Sequence, residues 1–244
     1  MPSREKITRV VELGTSEIER FAAVLTDEER SAVGTPDDWA IRDIYAHMVE
    51  WLHRMVDSII IIRAGGPSPI RDEDENILNR EIYFEYQSRT WEDMLRTLGD
   101  SRQGLLALLN ELSPEELDDR ERFPFFPGRP LWQSIVSDSY IHPLAHINPI
   151  YIQRGDIDYA NQMSEAEARN VAELDDSPRW KALSYYNLAC HYALIGDREH
   201  ALENLQPSFE LRPDLVPWSR QDSDLVSLHE DEGYLALIES YAQS

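Results

Sequence analysis

The sequence predicts an all-α protein, a four-helix bundle followed by a short helical module, and three observations carry that prediction. Apolar residues recur every three to four positions through four long segments, the spacing that lines one face of a helix. Clusters of glycine and proline separate those segments. After Gly155 the pattern changes into shorter helices with small residues at close spacing. At 244 residues and 42% apolar content the chain can bury a sizeable core. Its length suits two units at roughly 100 to 200 residues per domain, which we place at residues 1–157 and 158–244.

The first helix is expected from Ser3 to about Leu25, with Ile7, Val10, Val11, Ile18, Phe21, Val24 and Leu25 on its buried stripe and Ser3 suited to its start. Thr26 to Asp38, with Gly34 and Pro36, reads as a loop or short turn before a new start at Trp39. The second helix runs from about Ile41 to Ala64 over Ile44, Met48, Trp51, Leu52, Met55, Ile59 and Ile62, and Gly65, Gly66, Pro67 and Pro69 end it. A short helix follows over Asp72 to Tyr86. Thr90, three residues before Asp93, caps the long third helix through Leu112. Ser113 to Pro130, rich in proline and carrying Phe123, Phe125 and Phe126, is a structured loop. The fourth helix spans about Leu131 to Ile152, and Pro143 and Pro149 should distort it, because each lacks a backbone donor and crowds the carbonyl four residues back.

Beyond Gly155, Leu188, Ala189, Tyr192, Gly196, Ala201, Leu205 and Pro213 fall where the 34-residue tetratricopeptide pattern puts its large, small, aromatic, turn and terminating residues. Such a unit cannot bury its apolar face alone, so Glu165 to Leu174 and Leu225 to Tyr241 should flank it.

The formal charge of −23 repels phosphate backbones and anionic membrane surfaces, so neither nucleic acid nor membrane is an expected partner. No apolar run reaches the roughly 18 to 20 residues of a spanning helix. The start, Met-Pro-Ser-Arg-Glu-Lys, opens a charged helical pattern rather than a secretory signal, and the expected location is the cytoplasm. Cys190 is the only cysteine, which excludes an intramolecular disulfide and a cysteine-rich zinc site. Beside Ala189 it reads as a packing residue.

Histidine must therefore carry any metal chemistry. His142 and His146 are four apart, so they project from one helix face, and His47 lies among apolar residues midway along the second helix. On spacing alone, such a pair is more often two half-exposed side chains, and a lone histidine like His47 more often a hydrogen-bonded core residue. His53, six residues from His47, faces elsewhere, and His191, His200 and His229 read as surface positions of the tail. On the His47 face lie Asp43, Glu50, Trp51 and Arg54, and Asp138 lies one turn before His142. Of these, Asp138 is the candidate to orient an imidazole in the catalytic site.

The segments DWAIRDIYAHMVEW and DSYIHPLAHI resemble those of the DinB-like superfamily of four-helix bundles, and the resemblance extends over about residues 3 to 156. It implies a metal triad of His47, His142 and His146. Two departures are plain: Pro143 stands between the paired histidines, and Gln153-Arg154-Gly155 replaces a common histidine-arginine-glycine. The resemblance further implies a metal-dependent enzyme acting on a small-molecule substrate, first a thiol S-transferase using a low-molecular-weight thiol, then a hydrolase. Three imidazoles accept zinc, nickel, manganese or iron. The alternatives are an adaptor whose tail recruits a protein partner, and a bundle that sequesters a small molecule. A symmetric homodimer is the expected oligomer.

Overall fold

The structure, a computed structural model, describes residues 1–71, 73–126 and 128–242. Among these residues it is built of helices with no strand, and no helix is long and apolar enough to cross a membrane. The chain divides into two compact units, one of Ser3–Pro143 and one formed by Met1–Pro2 with Leu144 onward.

In the first of these units, α1 (Arg4–Val24) opens where Ser3 accepts a hydrogen bond from the Lys6 backbone N–H at 3.3 Å. The stretch expected as loop or turn holds a short helix, α2 (Asp27–Ser31), because Thr26 and Glu29 form a reciprocal capping box. Next comes α3 (Ile41–Arg63). Its N-cap, Ala40, has no side-chain acceptor, and the Asp43 carboxylate takes over, accepting from the N–H groups of Gly34 and Ala40 at 2.7 and 3.0 Å. The short helix α4 (Glu75–Tyr86) is capped by Asp74; the predicted start at Asp72 lies outside the described residues, as does Pro127 of the proline-rich loop. Thr90 and Asp93 form the expected box ahead of α5 (Trp91–Glu111). A single turn, α6 (Pro114–Leu117), interrupts the next loop.

The fourth bundle helix is composite: α7 (Leu131–Val136), a π-helical turn over Ser137–Ile141, then α8 (His142–Gln153). Pro143 has no N–H for the Ser139 carbonyl and its ring would crowd that oxygen, so the backbone widens and the His142 N–H reaches back to Ser137 instead. The widened turn packs on α1 at Gly14, where a Cβ would lie 2.0 Å from the Ser139 oxygen. Backbone meets backbone there only because the residue has no side chain. Around these helices Phe21, Tyr45, Leu52, Met55 and Trp132 form a core at no more than 1% exposure.

The second unit continues from α8 through α9 (Ile157–Ala172), α10 (Pro178–Leu194), α11 (Arg198–Leu211), α12 (Leu215–Ser219), a 3-10 turn at Ser223–Leu228 and α13 (Glu232–Ala242). α10 and α11 form a hairpin. Gly196 takes a φ of +79° at its turn, and the fully buried Ala189 and Ala201 bring the helices close. Tyr186, Leu205, Phe209, Leu225, Tyr234 and Ile238 close this core. One expectation is corrected: His191 is not a surface residue but is 4% exposed, because Asn148 and Asn161 provide partners for both ring nitrogens.

Candidate metal centre

His47 comes from the middle of α3 and is buried, while His142 and His146 stand one turn apart on α8 and are half-buried. His142 and His146 are carried by one element, α8. The Nε2 atoms of His47 and His142 are 2.9 Å apart, close enough to share a proton or an ion. One ring nitrogen from each of the three histidines lies within 4.8 Å of the other two. Burial pushes the His146 imidazole down to about 4, so it is neutral at physiological pH, the form that ligates metal. The donor set thus fits a divalent transition ion: three imidazole nitrogens within 4.8 Å of one another, with His142 and His146 half-buried.

Tryptophans wall the site. Trp39, in the turn before α3, puts its ring centroid 4.9 Å from that of His47. Its indole nitrogen is buried and has no hydrogen-bond partner among the described residues. Trp51 meets His47 and His142 edge-on at 6.1 and 6.5 Å, and its N–H donates to Asn79 at 3.1 Å. Sequence spacing marked Trp51 but not Trp39, whose approach to His47 depends on how the loop closes over the helix start. The only local signal was its position directly before that start.

The other side chains on the His47 face have different work. Asp43 caps α3. Glu50 accepts from the Tyr86 hydroxyl at 2.8 Å and from Arg54 at 2.6 Å, and Arg54 also approaches Glu85. Asp138 sits buried on the π turn. Burial, with a lesser push from the charge of Glu75, raises its carboxyl to about 7. Its oxygens do not join the three gathered nitrogens.

A second gathering, Cys190 with Asp222 and Asp224, lies in the other unit. The Cys190 thiol is 3.9 Å from Asp222, which also accepts from Tyr186 at 2.9 Å. Burial and then the neighbouring carboxylates push that thiol far up, so it stays protonated, as a packing residue should.

Compared with known proteins, residues 11–136, just over half of the chain, match a family model described as the DinB superfamily. That span contains His47 and ends shortly before His142. No curated protein and no solved structure matches the chain.

Proposed function

The chain belongs to the DinB superfamily, and on that premise we propose that His47, His142 and His146 hold a divalent transition metal for thiol-dependent S-transfer to a small electrophilic substrate. The observation that carries the proposal is the convergence of three imidazole nitrogens within 4.8 Å in a bundle of a superfamily that typically binds metal. When bound, such an ion would supply Lewis acidity, which favours the thiolate of a small cofactor, or a hydroxide, at neutral pH.

The chain's own residues supply the rest. Burial keeps His146 unprotonated, and His142 and His146 are half-buried rather than sealed in the core. Trp39 and Trp51 set aromatic rings beside His47, which suits an apolar part of a small substrate. Zinc, nickel, manganese and iron all suit three imidazoles. We read the α10–α11 hairpin as packing rather than recruitment, since one hairpin offers only a short groove.

The test is metal content by mass spectrometry on protein purified without a histidine tag. The wild type should carry about one ion per chain, and His47→Ala and His142→Ala should carry almost none. Thiol consumption with small electrophiles is then screened on the loaded protein. No metal in the wild type after incubation with each of the four ions would end this reading.

A further inference from the structure

We propose that Asn148 and His191 are positioning residues for the metal centre: a buried amide–imidazole network behind α8 sets the direction of His146. The inference rests on the reading of His146 as a ligand.

The need for such a device is written into α8. Pro143 and Pro149 stand three residues before and three after His146. Neither has an N–H, so the carbonyls of Ser139 and Ala145 lack the donor that an α-helix places four residues on. The backbone ladder is thinned on both sides of the residue whose direction matters most.

A side-chain network replaces it. Two residues along a helix turn a side chain by about 200°, so Asn148 leaves α8 on the side opposite His146. The Asn148 Nδ2 group donates to Ser164 Oγ and, at 3.4 Å, to the Ala160 carbonyl, both on α9. It also lies 3.1 Å from His191 Nδ1 on α10. His191 Nε2 is 2.7 Å from Asn161 Oδ1, again on α9.

The two hydrogens of the Asn148 amide are shared among three acceptors, and His191 Nδ1 also lies 3.2 Å from Asn148 Oδ1. Asn161 Oδ1 only accepts, so Nε2 of His191 carries the hydrogen, and Nδ1 is left to accept from Asn148. The imidazole must then be neutral, which agrees with burial pushing it down to about 4. Asn148, Ser164 and His191 are each at most 7% exposed. A closed network of this kind tolerates few alternative geometries, because any rotation of α8 would strand a buried polar group. Helices α9 and α10 thereby hold the stretch of α8 that carries His146.

The experiment compares Co(II) affinity and the Co(II) ligand-field spectrum in the full-length wild type, Asn148→Leu, His191→Leu and His191→Gln. Phe209→Leu, in the same unit and outside the network, is a control that lowers stability alone. The two leucine variants of the network should bind Co(II) about 10-fold more weakly with an altered spectrum. His191→Gln, which keeps a donor and an acceptor, should recover most of the affinity, and Phe209→Leu should leave the spectrum unchanged. Hydrogen exchange of the metal-free proteins should show residues 144–153 loosened in the network variants and not in the control. Should a leucine variant fail to fold, Asn161→Ala, at a half-buried position, removes the Nε2 acceptor more gently and is expected to act in the same direction. Co(II) bound by wild type and network variants with equal affinity and the same spectrum overturns the positioning role. A wild type that takes up no Co(II) instead overturns the metal reading itself, so the two failures are distinguishable.

Discussion

Asp138 shows how much one side chain's surroundings can change its chemistry. Its place one turn before His142 makes it a candidate to orient an imidazole, and it is buried on a π turn and raised to about 7. Below about pH 4 it is protonated in folded and unfolded chains alike. Above that, the unfolded chain releases the proton first, so folding stability falls as pH rises toward and through about 7. Asp138→Asn removes this dependence. Thermal unfolding of metal-free protein should show a smaller loss of Tm between about pH 5 and about pH 8 in the variant than in the wild type, the other titrating groups being common to both. The shared helix face of His142 and His146 was legible from their spacing, because one helical turn in sequence is one helical turn in space; His47 joined them only through the family resemblance. Trp39 and His191 were not, because their partners are set by loop closure and by Asn148, far away in the chain.

At the scale of elements, start signals were readable and close approaches were not. Ser3 and Thr90 cap the helices that sequence assigned to them, and the box at Thr26 and Glu29 shows that α2 was equally available to a reader of caps. The prolines announced an irregular fourth helix without specifying a π turn, since the choice of relaxation depends on what packs beside it. Gly14 is that neighbour. Gly14→Ala should destabilise the protein by about 3 kcal/mol in urea unfolding, since a Cβ 2.0 Å from a backbone oxygen cannot be relieved by a rotamer change. Gly99→Ala, in α5 with nothing within 4 Å of the added carbon, should instead stabilise by up to about 1 kcal/mol, the ordinary helix-propensity gain. The opposite signs separate packing from propensity.

For the molecule as a whole, composition and periodicity made the all-α bundle legible, because burial of helix faces is a property of the pattern rather than of any one contact. Metal should couple to that fold. Binding to the folded chain alone stabilises it by about 2.7 kcal/mol at one hundred times Kd, so adding zinc or nickel should raise Tm in the wild type and leave His47→Ala unmoved. The π turn finally acts as an angular offset. A π turn accommodates one residue more than an α-helix would, and each helical residue advances the phase by about 100°. Shortening Ser137–Ile141 by one residue would let the helix regularise and swing His142 and His146 together, by roughly that angle, away from His47. The aim of the metal site is thus stored as a count of residues, upstream of every side chain that forms it.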